Sequence, residues 1–149
     1  MDSNEAAAAL AGVSGAQHRL ADQIGACPPW RHAAFGFVMA LMVGGASLPL
    51  LWQSTSVPVA MALVALIVHY DRKRYGVFIN GYRRGKTLPL TLLLLGGMLV
   101  LLVAQIHARE AGLSVWTKAG ITALAFVYAV AGSVVWQRVF LAELRARHA

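Results

Sequence analysis

Long stretches without a charged residue constrain this chain more than any other feature of its sequence. Residues 33–52 and 88–106 contain no Asp, Glu, Lys or Arg, and about 20 such residues are enough to cross the core of a bilayer. Residues 119–137 form a third uncharged stretch, and the shorter segment 55–70 is followed by Arg and Lys side chains that can reach the interface. We therefore predict an all-α membrane protein with four transmembrane helices.

The positive charges are distributed unequally over the predicted loops. With four spans, the N-terminal arm, the 71–87 loop and the C-terminal tail share one side and carry eleven of the thirteen Lys and Arg residues. The other side holds a turn at 53–54 and the 107–118 loop with Arg109 and Lys118. The positive-inside rule therefore predicts that both termini are cytoplasmic. Because the chain is rich in Ala and Arg, we expect a bacterial plasma (inner) membrane.

Three regions follow from this topology. Residues 1–29 form a cytoplasmic N-terminal arm, residues 30–140 hold the four-helix transmembrane domain, and residues 141–149 form a cytoplasmic tail. A stripe of mainly apolar side chains recurs in the arm at intervals of three and four, which predicts an amphipathic helix. The stripe consists of Leu10, Val13, Gln17, Leu20 and Ile24. Its expected partner is the headgroup region, another subunit or the loop side of its own bundle.

Two of the predicted spans begin with the same short pattern. Ser56 and Thr87 are each followed two positions later by a proline, Pro58 and Pro89. A hydroxyl can cap a helix, and proline fits the first turn, where a missing N–H costs little. The pattern predicts that the second and third helices start at these residues.

Small residues at intervals of four mark one face of the first span and one face of the fourth. Such faces let membrane helices approach closely. They consist of Gly36, Ala40 and Gly44 in the first span and of Ala125, Ala129 and Ser133 in the fourth. The sequence does not decide whether the two faces meet within one chain or between two copies.

The end of the basic loop resembles part of a phosphate-binding loop, and its spacing argues against that function. Gly85, Lys86 and Thr87 match the end of the motif, which requires a further glycine five positions before Gly85. That position is Asn80, and the glycine is Gly81. Thr87 is also better placed to cap a transmembrane helix. Nucleotide binding is therefore not predicted.

The basic loop instead has the composition of a headgroup-binding segment. Its cations can contact lipid phosphates, each contributing about 1 kcal/mol near an anionic surface, while its aromatic side chains rest in the interface. The residues predicted to contact lipid or a partner are Arg72, Lys73, Arg74, Tyr75, Phe78, Tyr82, Arg83, Arg84 and Lys86. Asn80-Gly81 favours a hairpin, an interfacial helix-turn fits nearly as well, and a purely topological role for the charges stays open.

Catalytic and cofactor-binding patterns are not recognisable in this sequence. It has no nucleophile–base pair or carboxylate dyad, and no ionisable residue in mid-span of the kind that small drug–proton antiporters use. His32 and His69 are both expected at the inner face, but no His-x-x-His or Cys pattern accompanies them. We therefore predict no enzyme, cofactor, metal site or sequence-specific nucleic-acid binding.

The order of features resembles that of small four-span bacterial membrane proteins with no assigned activity. The resemblance lies in Pro29-Trp30-Arg31-His32 and in the stretch from Tyr75-Gly76-Val77 through Gly81-Tyr82-Arg83-Arg84-Gly85. It implies a four-span fold led by an amphipathic helix. It implies no activity, and no functional residue can be carried over from it.

Two functional hypotheses follow. The first is a non-enzymatic scaffold, accessory or regulatory protein whose basic cytoplasmic face contacts anionic headgroups or a membrane or cytosolic partner protein. The second is an oligomeric channel or small-molecule transporter, in which the small-residue faces of spans one and four join several copies around a pore.

Overall fold

The computed structural model describes residues 28–75 and 87–146, together with positions 5, 9, 12 and 15 of the N-terminal arm. Four α-helices occupy the two continuous ranges, and no strand occurs in them. The helices are α1 (Pro29–Gly45), α2 (Leu50–Tyr75), α3 (Thr87–Glu110) and α4 (Val115–Ala146). The all-α prediction is confirmed, whereas the predicted stripe of the arm lies outside the described residues.

Successive helices run in opposite directions, so the bundle has two chemically different ends. We call the end where α1 and α3 begin and α2 and α4 finish the basic end. The other, called the turn end, holds the connections 46–49 and 111–114. Helix α1 packs most extensively against α4 and also contacts α2 and α3, while α3 packs against α4. The shortest helix is therefore the central one.

Three of the helices are long and apolar enough to cross a membrane. Leu50–Lys73, Thr87–Glu110 and Val115–Glu143 meet this criterion, and in their most apolar windows only 11%, 6% and 17% of the residues are buried. Their large apolar side chains point outwards; Leu50, Val100 and Trp116, for example, are 80%, 68% and 86% exposed. A soluble protein would leave such a surface in contact with water, so the surface suits a lipid environment.

The connection between α1 and α2 lies earlier than the sequence indicates. The predicted turn at 53–54 is wrong, because α1 ends at Gly45 and α2 already begins at Leu50. Backbone bonds from Ala46 to the Val43 carbonyl and from Ser47 to the Gly44 carbonyl tighten the last turn of α1. The carbonyl of Pro49 then accepts the first bonds of α2, from residues 52 and 53.

The prediction that Ser56 and Pro58 start a helix is also wrong. Pro58 lies inside α2, where it cannot donate to the carbonyl of the residue four positions earlier. The hydroxyls of Ser54, Thr55 and Ser56 each donate to the carbonyl three residues before them, at 2.8 to 2.9 Å. Polar side chains of this kind help membrane helices to tolerate an internal proline.

The connection between α3 and α4 is a tight turn with defined caps. Gly112 has a φ of 64°, and Leu113 donates to the Ala108 carbonyl at 2.9 Å, which closes α3 with a left-handed glycine. The hydroxyl of Ser114 accepts a bond from the backbone N–H of Thr117 at 3.2 Å and so caps α4. The turn fixes the antiparallel arrangement of α3 and α4.

Alanine substitutions at two adjacent glycines test the contact between α3 and α4. A methyl group at Gly97 would overlap the ring and hydroxyl of Tyr128, and one at Gly96 would meet no heavy atom within 4 Å. We expect Gly97→Ala to lower the free energy of unfolding by about 1–3 kcal/mol. Gly96→Ala should leave it unchanged or raise it by up to about 1 kcal/mol. Thermal unfolding in detergent measures both effects, and equal effects would contradict this packing.

Candidate functional site

The basic end is held together by an ion pair between α1 and α2. The Arg31 guanidinium donates through Nε to both carboxylate oxygens of Asp71, at 3.0 and 3.1 Å, and through Nη2 to Oδ2 at 2.5 Å. The Asp71 side chain is only 5% exposed, against 35% for Arg31. A carboxylate this buried requires its cation, because an unpaired charge would be costly there.

Beside the ion pair, α1 is also joined to α4. Nδ1 of His32 lies 2.8 Å from Oγ of Ser133, and the His32 side chain is buried. Arg31 and His32, adjacent in the first turn of α1, therefore contact α2 and α4 respectively. Trp30 adds an edge-to-face contact with Tyr70, with ring centroids 5.2 Å apart. His32 is bound to a hydroxyl here, and His69 is exposed on α2.

A tryptophan joins α4 to α3 at the same end. Nε1 of Trp136 donates to Oγ1 of Thr91 at 3.1 Å, and Thr91 in turn donates to the Thr87 carbonyl. The indole stacks on Phe140, with the ring planes 10° apart and the centroids 5.2 Å apart. An indole that is both stacked and hydrogen-bonded has a fixed position, so it forms a rigid wall at this end.

The predicted lipid-contact residues fall only partly within the described chain. Arg72 and Lys73 are exposed in the last turns of α2, next to the ion pair. Arg74 and Tyr75 belong to the same helix, but their side chains lie outside the description, as do the remaining residues of the loop. Those remaining residues are Phe78, Tyr82, Arg83, Arg84 and Lys86. The choice between hairpin and helix-turn therefore stays a prediction.

The small-residue face of α1 lies against α4 within one chain, at Thr122, Phe126 and Val130. A side chain at Gly36 would overlap Val130 and Phe126, and one at Gly44 would meet Thr122 at 3.0 Å. The remaining members of the two faces are buried or are bonded to the neighbouring helix. Ala40, Ala125 and Ala129 are buried, and Ser133 bonds to His32.

Polar contacts also join the helices at the turn end. Gln105 is completely buried, and its Nε2 lies 3.3 Å from both the Lys118 carbonyl and Oγ1 of Thr122. Arg109 donates to the Ala46 carbonyl at 3.2 Å and to Oε1 of Gln53 at 3.1 Å. Gln105 therefore joins α3 to α4. Its Oε1 atom is buried without a partner among the described residues.

A cleft opens between α2 and α3 on the side of the bundle. Its volume is about 390 Å³, and α1 and α4 form its floor. Arg31, Thr91 and Trp136 line it at the basic end, and Met39 and Met98 line it deeper in the bundle. We call this space the lateral cleft. Among the described helices, α2 and α3 make no backbone contact with each other, so the cleft opens to the surrounding medium.

Sequence reasoning missed the ion pair and the cleft. Arg31 and Asp71 are 40 positions apart, and the available signal was that the predicted topology places both at one end with opposite charges. Asp71 is also the single acidic residue in 69–87. No periodicity predicts a gap between two helices, because the gap depends on which helices become neighbours.

Chemically, the described part of the basic end combines the exposed cations Arg72 and Lys73 with aromatic side chains. Within the described residues, no group of three His, Cys, Asp or Glu side chains lies close enough to hold a metal ion. No family model, curated protein or solved structure matches the chain. The resemblance to small four-span bacterial proteins therefore stays a prediction, and the function has to be argued from the geometry.

A double-mutant cycle tests the ion pair. We expect Arg31→Gln to lower the free energy of unfolding by about 1–3 kcal/mol, because it leaves a buried carboxylate without its cation. Combining it with Asp71→Asn should cost less than the sum of the two single changes. Arg72→Gln, an exposed neutralisation beside the pair, should change stability by less than about 0.5 kcal/mol. Additive effects in thermal unfolding would show that the two side chains do not interact.

Proposed function

We propose that this chain is an integral membrane protein in which α1 crosses the membrane together with α2, α3 and α4, which gives four spans. Helix α1 has 17 residues, a length of about 25 Å at 1.5 Å per residue. It runs from the Arg31–Asp71 pair at the basic end to the Ala46 carbonyl, which binds Arg109 at the turn end. Its neighbours α2, α3 and α4 are the helices long enough to cross, so α1 runs alongside them through the same layer.

The basic end faces the cytoplasm in this proposal. Among the described side chains that end carries Arg31, Arg72, Lys73 and Arg138, while the turn end carries Arg109 and Lys118. The other Lys and Arg residues of the sequence belong to the arm, the loop and the tail, which all adjoin the basic end. The positive-inside rule then places both termini in the cytoplasm of a bacterial cell.

The function that the geometry supports best is binding of anionic phospholipid by a non-enzymatic scaffold, accessory or regulatory protein. One observation carries this proposal: the cations gather at the basic end, whereas polar side chains inside the bundle, such as His32 and Ser133, bond between helices. Six Lys and Arg residues lie in 72–86 alone, and each attracts an anionic surface with about 1 kcal/mol. A partner protein with an acidic surface would use the same end.

The arrangement gives less support to the alternative of an oligomeric channel or transporter. That hypothesis used the small-residue faces of α1 and α4 to join several copies. In this chain Gly36 and Gly44 of α1 lie against α4 of the same chain. Assembly of a pore would therefore need a different contact surface.

Cysteine labelling tests the orientation. Cys27, the single cysteine, precedes α1, and Ala111→Cys in a Cys27→Ser background places a thiol in the α3–α4 turn. A membrane-impermeant maleimide added to intact spheroplasts should label position 111 and should label Cys27 only after lysis. Labelling of both thiols, or of Cys27 alone, in intact spheroplasts would contradict the proposed topology.

Neutralising the loop tests lipid binding. We expect Arg83→Gln/Arg84→Gln/Lys86→Gln to weaken retention of phosphatidylglycerol by up to about 100-fold, since three cations are lost at about 1 kcal/mol each. The matched control, Arg83→Lys/Arg84→Lys/Lys86→Arg, keeps the charge and should keep the binding. Native mass spectrometry from nanodiscs of phosphatidylglycerol and phosphatidylcholine counts the retained lipids. Unchanged retention in the neutral variant, with topology intact, would refute the proposed function.

A further inference from the structure

The lateral cleft exists because the backbones of α2 and α3 do not come into contact, so the four described helices do not form a closed bundle. Helix α2 is attached to the bundle through α1, and α3 is attached chiefly through α4. Between α2 and α3 the described chain leaves a space of about 390 Å³, within the range of ligand sites in proteins. In a membrane, such a side opening faces the acyl chains of the lipids.

The lining of the cleft changes from polar to apolar along its length. Arg31, Thr91 and Trp136 form the part nearest the basic end, where Trp136 is fixed by its bond to Thr91. Deeper in the bundle the lining includes Met39 and Met98, two unbranched side chains that adapt to a flexible occupant. A phospholipid has the same order of chemistry, with a polar head at the interface and an apolar chain below it.

The depth of the cleft corresponds to one leaflet. On α1 the lining extends from Arg31 to Met39, which is about 12 Å at 1.5 Å per residue. On α3 it extends from Thr91 to Met98, about 10 Å. The hydrocarbon core of a bilayer is about 30 Å thick, so one leaflet contributes about 15 Å. A helix of a second copy crossing the whole core would need a groove more than twice as long.

The end of the bundle above the cleft carries net positive charge. Arg31 is neutralised by Asp71, but Arg72 and Lys73 follow directly and are exposed, within two turns of the cleft-lining Ile67. Glu143 of α4 adds one half-buried carboxylate, and the described Lys and Arg residues at this end outnumber the acids by four to two. An anionic headgroup above the cleft would therefore meet an excess of cations.

We propose that the lateral cleft holds one acyl chain of an anionic glycerophospholipid from the cytoplasmic leaflet, with the headgroup against the last turn of α2. This site deepens the proposed function and rests on it, because the basic end must face that leaflet. In addition to the general electrostatic attraction of the basic end, the site gives anionic lipid one defined binding position.

Filling the cleft tests the proposal by native mass spectrometry. Met98→Trp and Ile67→Trp enlarge side chains on its two lips, and we expect each to reduce retention of phosphatidylglycerol about tenfold. The matched control is Leu99→Trp, because Leu99 is the next residue of α3, is 53% exposed and does not line the cleft. It should retain lipid as the unsubstituted chain does.

A fluorescence measurement tests the same site with its lining unchanged. In a chain carrying Trp30→Phe, Trp52→Phe and Trp116→Phe, Trp136 is the sole tryptophan and lies in the wall of the cleft. Phosphatidylglycerol brominated on its acyl chains should quench this tryptophan with a five- to tenfold higher apparent affinity than brominated phosphatidylcholine, or about 1 kcal/mol. Equal quenching by the two lipids would overturn the preference for an anionic headgroup.

The outcomes separate this site from the proposed function. If both lip variants keep phosphatidylglycerol while the neutralised loop variant loses it, the cleft proposal fails and lipid binding by the basic end stands. If none of the variants loses lipid, both proposals fail. If the lip variants keep lipid and instead change the oligomeric mass, the cleft is a contact between copies, which also overturns the acyl-chain site.

Discussion

Close packing of α1 against α4 is the contact on which the rest of the bundle depends. Lipid tails are as apolar as the helices, so burial of apolar surface cannot drive helices together in a membrane, and close fit has to replace it. Gly36 and Gly44 bring the backbone of α1 against Phe126, Val130 and Thr122 of α4. Helix α2 is held chiefly through α1 among the described helices, and α3 chiefly through α4. Loss of this one contact would remove the main connection between the α1–α2 pair and the α3–α4 pair.

Polar side chains then fix the register of the four helices at both ends. The Arg31–Asp71 pair and the His32–Ser133 bond join α1 to α2 and to α4 at the basic end. At the turn end, Gln105 joins α3 to α4, and Arg109 joins α3 to the residue that follows α1. Between the two ends, the helices contact one another chiefly through small and apolar side chains. Directional bonds near the interfaces and close packing in the middle together allow one arrangement of helices with little buried apolar area.

The same arrangement explains why the basic end is the functional candidate. Several polar side chains inside the described bundle bond to one another, and the exposed cations Arg72 and Lys73 lie at the basic end. The ion pair neutralises Arg31 and holds the end of α2 in place, with Arg72 and Lys73 exposed in its last turns. A structural contact thereby shapes the surface proposed for lipid.

The sequence by itself determined the helical class, the apolar segments of α2, α3 and α4, and the uneven distribution of charge, because hydropathy and charge are read along the chain without knowledge of neighbours. It also identified the small-residue faces, since a helix repeats every 3.6 residues. It misplaced the α1–α2 turn, because prolines at 49 and 58 both fit a helix start and only the packing of Gly45 against Ser56 distinguishes them. Only the tertiary structure decided that α1 is central, that Arg31 meets Asp71, and that α2 and α3 stay apart. The physical reason is that the lateral order of helices depends on the fit between side chains that are distant in sequence.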